Sequence, residues 1–284
     1  MEELSFKGNL LKIDSSNGAA ITYWSCHKKD LDIPLINNKN FNSFEGSLLF
    51  PFPNRLSGGT YIFENQNFQF PINDFGRPNA LHGLIHNKKF KLIERGNDFL
   101  SFQYESRGEE LYFPFRYRLE VTYRMKENEI ELEVKIKNIG NGNMPCGFGW
   151  HPYFDISLSH ESCRLKMPIV NKIEVDEELI PTNEEVLDKE FKDFQSIYEK
   201  RIDTCYRLKR IAERSSVFLN YPDLGTVEIW QDDHCPFIQV FKPDERTMAI
   251  EPMTCGIDAF NSKEGLKVLG SREEWTIKMG LRFY

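Results

Sequence analysis

The 284-residue chain has no apolar run approaching the roughly 20 residues that a membrane-spanning helix needs. Basic charge is in deficit: 36 Lys and Arg stand against 43 Asp and Glu, for a net charge of -7. Nucleic acid and anionic membrane surfaces both call for a basic footprint, so neither is expected as a main partner. The first ten residues, MEELSFKGNL, lack the basic and apolar regions of a secretory signal, and a cytoplasmic location is expected. No C-x-x-C occurs. Cys26, Cys146, Cys163, Cys205, Cys235 and Cys255 are scattered, and they read as free thiols serving mostly as small buried apolar groups. There is no P-loop, dinucleotide fingerprint or zinc spacing, so no cofactor and no metal are expected. Strand–helix alternation, internal repeats and linkers are missing too, which argues against a parallel α/β sheet and for one domain over residues 1–284.

What the chain does have is two-residue periodicity. In EIELEVKIKN (129–138), Ile130, Leu132, Val134 and Ile136 fall on one face and charged residues on the other. That is a strand with one wet face. RYRLEVTYRM (116–125) alternates likewise, and KEN (126–128) joins the two as a hairpin. TVEIWQ (226–231), PFIQVF (236–241) and WTIKMGLRFY (275–284) read as further strands. The fold class is therefore all-β. The best helix candidate is NEEVLDKEFKDFQSIYEK (183–200), whose apolar spacing also fits a long loop with a short helical turn.

Chemistry concentrates in short stretches. FPFPNRLSGGTYIF (50–63) holds Asn54 and Arg55 in a proline-stiffened loop, and an arginine fork there suits several oxygens of a polar ligand. NALHGLIHNKKF (79–90) carries His82, and His86 in a polar run that reads as solvated. Asp203 lies within YEKRIDTCYRL (198–208), where it could accept protons from hydroxyls or cap a turn. In MAIEPMTCGIDAFN (248–261), Glu251 follows three apolar residues. Partial burial would raise its pKa toward a useful general base, and an ion pair with Arg55 is the structural alternative. GFGWHPYF (147–154) sets His151 among aromatics. Gly147 and Gly149 would allow close backbone approach. Phe148, Trp150, Tyr153 and Phe154 would exclude water and can stack on a sugar face, with Trp150 as the candidate contact. His151 is then a titratable ring in a dry cleft, or else a satisfied core histidine.

Together PNRLSGGTY, LHGLIHNKKF, MPCGFGWHPYF, IPTN with RIDTCY, and IEPMTCGIDAFN, in this order from about residue 45 to 261, resemble the aldose 1-epimerase (mutarotase) family of the galactose mutarotase-like superfamily. The resemblance implies a large antiparallel β supersandwich and an isomerase that interconverts α and β anomers of a free aldohexose. It implies His151 as general acid at the ring oxygen, Glu251 as general base at the anomeric hydroxyl, and His82 as a second active-site histidine. Arg55 and Asp203 are implied as binders of sugar hydroxyls, with Asn54 in the same motif. The expected partner is a small sugar, and the expected assembly a monomer or homodimer. The sequence PMT after Glu251, and Gly83-Leu84 after His82, depart from the best-known galactose-active pattern. A hexose-6-phosphate 1-epimerase, with Arg77, Lys88 and Lys89 as candidate phosphate binders, is one alternative. A non-catalytic carbohydrate-binding protein of the same fold is another. A glycoside hydrolase is a third, although hydrolases usually rest on a carboxylate pair.

Overall fold

A computed structural model describes residues 1–38, 43–209 and 213–284. Among these, nearly all regular structure is antiparallel strand, and the α-helix is a single turn at Ala259–Ser262. The Arg116–Lys126 and Glu129–Asn138 strands pair as the alternation predicts, with Val121 opposite Val134 and Tyr123 opposite Leu132. Their apolar faces are buried, together with Ile277, Met279 and Leu281 of the Glu274–Phe283 strand. These strands belong to a nine-stranded sheet. A second sheet, of eight strands, carries Asp203, Gln239 and Glu251. Across it run in order Pro181–Asp188, Val170–Val175, Ile202–Leu208, Phe237–Lys242 and Thr247–Met253. Gly149–Trp150 and Tyr153–Asp155 both pair with the far edge of the last strand.

The Phe237–Lys242 and Thr247–Met253 strands are buried on both faces, which explains their nearly unbroken apolar sequence. Among the buried polar residues they contain, Gln239 and Glu251 lie mid-strand and are exceptions that call for partners. Residues 183–200 are not helical. They form the exposed edge strand Pro181–Asp188 and the short strand Gln195–Ser196, which pairs with Arg164–Lys166. An edge strand exposed along its length has no apolar face to impose period two, so pairing with Val170–Val175 decides its conformation. All six cysteines are buried and unpaired. No helix among the described residues is long and apolar enough to cross a membrane.

Candidate active site

Two loops are zipped together before they meet the sheet. Arg55 pairs with Leu81 in a two-residue ladder. One step further on, His82 N–H donates to the Asn54 carbonyl at 2.9 Å, and Asn54 N–H donates to His82 Nδ1 at 3.1 Å. Asn54 and His82 both sit in the left-handed region, at φ 57° and 62°. Gly83 follows at φ 71°, and a Cβ there would lie 2.3 Å from the Phe50 carbonyl oxygen, so only glycine fits.

The GFGWHPYF segment crosses the same end of the sheet. A Cβ on Gly147 would fall 2.3 Å from Cys255 Sγ, and one on Gly149 2.7 Å from Pro53, so the two glycines do permit close approach. His151 N–H donates to Ser47 O, and its own carbonyl accepts from Gly46. The His151 ring stacks on Tyr153 at 5.1 Å and meets His82 edge-on at 5.0 Å. Its Nε2 lies 3.3 Å from Glu251 Oε1, with both side chains no more than 4% exposed.

Glu251 stands opposite Gln239 in the ladder, and Gln239 stands opposite Cys205. Asp203 lies two residues from Cys205 and so shares this face. Gln239 links the floor: Asn54 Nδ2 donates to its Oε1 at 3.0 Å, and its Nε2 donates to Asp203 Oδ1 at 2.6 Å. Arg55 does not pair with Glu251. Its Nε donates to the buried Asp74 at 2.8 Å, and Asn79 donates to the same carboxylate oxygen. His82, His151, Glu251, Asn54, Arg55 and Asp203 thus line one cleft of about 370 Å³, closed further by Tyr153, Phe44, Gln239 and Phe241.

Burial acts on the ionisable groups in opposite senses. It lowers the His151 pKa to about 3. It drives His82 well below the usual histidine range, with His151 and Arg55 adding to the effect. It raises Glu251 well above the carboxylate range; Asp203 adds to this and Arg55 opposes it. A dry site disfavours charge whatever its sign. Among the described residues, Glu251 Oε2 and His151 Nδ1 are buried without a hydrogen-bond partner.

Trp150 does not reach the cleft. It is fully buried against Tyr123 in the core, as are Phe148 and Phe154, leaving Tyr153 as the segment's one aromatic in the site. His86 is half-buried against Phe44 rather than solvated, with its Nδ1 unpartnered. Lys88 pairs with Glu110 at 2.6 Å beside a different cavity, and Arg77 is turned toward the Glu177 carbonyl. Lys88, Arg77 and the exposed Lys89 are all outside the lining of the cleft. Asp74 and Asn79 escape sequence reading because NDFGRPN looks like an ordinary turn. Gln239 had a signal, a lone amide inside an apolar strand. Nothing in the sequence marks Phe75, which lines the cleft mouth fully exposed.

His82, His151 and Glu251 also form a candidate metal-ligand group, with donor atoms within 4.8 Å of one another. Ligands of a tetrahedral zinc stand roughly 3.4 Å apart, so the set would have to contract to hold one ion. His82 Nδ1 is already committed to Asn54.

The aldose 1-epimerase family profile matches residues 7–282. The chain belongs to the aldose 1-epimerase family. These enzymes are isomerases, and the all-β architecture is theirs. An uncharacterized Escherichia coli K12 protein, YihR, is 28% identical over 265 residues, covering 89% of this chain and 82% of its own. A galactose mutarotase-like protein from Clostridium acetobutylicum superimposes with a TM-score of 0.88 at 19% identity, covering 99% of this chain and 94% of that one. The galactose 1-epimerase of Lactobacillus acidophilus NCFM superimposes at 0.79 with 14% identity, covering 99% and 93%.

Proposed function

We propose that this epimerase interconverts the α and β anomers of a free aldohexose, with His151 and Glu251 as its acid and base. The observation that carries the reading is the buried His151–Glu251 contact at 3.3 Å, facing a polar cleft. O1 and O5 of a pyranose are both bonded to C1. Two proton-transfer groups that close together can each reach one of them from the same side. Glu251 as carboxylate takes the O1 proton, the C1–O5 bond breaks, and O5 takes a proton from His151. The open-chain aldehyde results. Rotation about C1–C2 and the reverse transfers close the other anomer, and the two groups exchange roles.

Burial favours the neutral form of each group, so the charged pair that starts this step is a minor, reactive form. Burial makes Glu251 a stronger base and His151 a stronger acid than either would be in water. Proton transfer then converts a disfavoured charged pair into a favoured neutral one. His82, with Nδ1 accepting from Asn54, presents Nε2–H to the cleft as a neutral donor. Arg55 and Asp203 hold hydroxyls remote from C1, each pre-set by a buried partner.

Polarimetry of freshly dissolved α-anomers, across free and phosphorylated sugars, tests the reading. Accelerated mutarotation of at least one free aldohexose, unchanged by EDTA, is expected. No acceleration, or a rate abolished by chelation and restored by a divalent ion, overturns it.

A further inference from the structure

The cleft does not end at Asp203. A second cavity of about 140 Å³ shares Arg55, Asp203 and Gln239 with it. It lies one strand further out in the same sheet, lined by Lys172, Glu174, Val175, Leu179 and Thr204. Its origin is a parting of strands. Pairing between Val170–Val175 and Ile202–Leu208 runs from Val170↔Leu208 to Lys172↔Tyr206 and stops there. The cavity occupies the gap beyond, between residues 173–175 and 203–205. Strand edges that part present backbone N–H and C=O groups to the space between them.

The direction of this extension matters. Glu251, Gln239 and Asp203 stand on three successive strands, and Lys172 stands on the fourth. Neighbouring strands are about 4.8 Å apart, so Glu251 and Asp203 are separated by about the width of one substituted sugar ring. The cavity therefore begins where the far hydroxyls of a bound pyranose would end. Its outer wall, the turn 176–179, is fastened to the Arg55 loop. Asn79 donates both to Asp74, the partner of Arg55, and to the Glu178 carbonyl at 2.9 Å. Arg77 reaches the Glu177 carbonyl from the same loop. On the same loop, between Asp74 and Arg77 in the chain and at the cleft mouth, is Phe75, 100% exposed. A fully exposed aromatic costs apolar hydration unless something covers it, and an aromatic face covers the apolar face of a sugar ring well.

We infer that the strand gap and Phe75 form a second sugar subsite, so that the preferred substrate is a reducing disaccharide or longer saccharide whose reducing-end ring lies at Glu251. This rests on the epimerase reading above. Chemistry stays at the reducing end; the second ring adds binding and takes part in no bond change. Glu174 and Lys172 at 3.1 Å, with Thr204, would meet its hydroxyls, and Val175 and Leu179 its apolar edges.

The test compares kcat/KM for mutarotation of disaccharides joined through O3, O4 or O6 with that of their reducing-end monosaccharides. At least one linkage should exceed its monosaccharide by about tenfold. Phe75→Ala should lower that preference about three- to tenfold, the worth of one aromatic contact. As Phe75 is fully exposed, its loss leaves folding intact. Calorimetry on Glu251→Gln with the same sugars gives a readout that does not depend on catalysis. Tighter disaccharide binding without any mutarotation in the parent protein would sink the epimerase reading and keep the subsite. No preference for any linkage in either assay, or a preference that Phe75→Ala leaves intact, overturns the subsite while leaving monosaccharide epimerase activity standing.

Discussion

Asn54 and His82 hold each other through the backbone of one and the ring of the other. Asn54 N–H donates to His82 Nδ1, and His82 N–H donates back to the Asn54 carbonyl. Both residues take left-handed backbone to do so. This reciprocal pair fixes the His82 ring, and through Gln239 it joins the two loops to the Asp203 side of the cleft.

His82 should accordingly be a neutral Nε2–H tautomer across the working range. Two-dimensional 15N correlation of the ring nitrogens should show an unprotonated Nδ1 and no titration of His82 near pH 6–7, since burial drives its pKa well below 6.5. A midpoint in that range would contradict the Asn54 bond.

Glu251→Gln and His151→Asn should each reduce kcat by roughly 10²–10⁴, the usual contribution of one general acid or base. Because both act in one step, the double variant should lose less than the product of the two effects. Glu251→Gln at the parental rate while folded would make Glu251 structural.

Arg55→Ala and Asp203→Ala should raise KM at least as much as they lower kcat, since hydroxyl contacts act in ground and transition states alike. Asp74→Ala should mimic Arg55→Ala in KM. It should also cost about 3–5 kcal/mol of stability, because it leaves a mostly buried guanidinium unpaired. A variant of Asp74 with parental KM would separate Arg55 from sugar binding.

Trp150→Ala should cost about 3–5 kcal/mol by opening a core cavity. At temperatures where the variant is folded, KM should stay within about twofold of the parent. A large rise in KM in Trp150→Phe, whose fold should survive, would put Trp150 back at the substrate.

Stability should depend on pH through the His151–Glu251 pair. The histidine, lowered from 6.5 to about 3, contributes stability that is present above pH 6.5 and lost as pH falls toward 3. Glu251, raised from 4.5, contributes stability present below 4.5 and lost as pH rises through its folded value. The two groups therefore slope in opposite directions with pH. On the acid side, from pH 4.5 down to about 3, His151 alone should cost about 1.4 kcal/mol per pH unit. Denaturant titrations should show His151→Asn flattening the acid side and Glu251→Gln the alkaline side. Unchanged profiles in both variants would mean that the pair is solvated.

The sequence by itself determined the all-β class, because alternation over residues 116–138 has no helical solution, and it marked His151, Glu251, His82, Arg55, Asn54 and Asp203 through their motifs. Tertiary structure alone decided which aromatic faces the cleft. Trp150 and Tyr153 read alike in GFGWHPYF, and only the path of the segment between the sheet edge and the core sends the first inward and stacks the second on His151. It also decided residues 183–200, where a stretch whose apolar spacing also suited a helix starts as an edge strand because the outer edge of Val170–Val175 was free to pair with it. Asp74 and Asn79 became legible only once the fold set them against Arg55, and Gln239, a lone amide in an apolar strand, gained its partner Asp203 only there. A hydrogen-bond partner distant in the chain leaves no local pattern, since its residue type answers to geometry that the chain acquires only on folding.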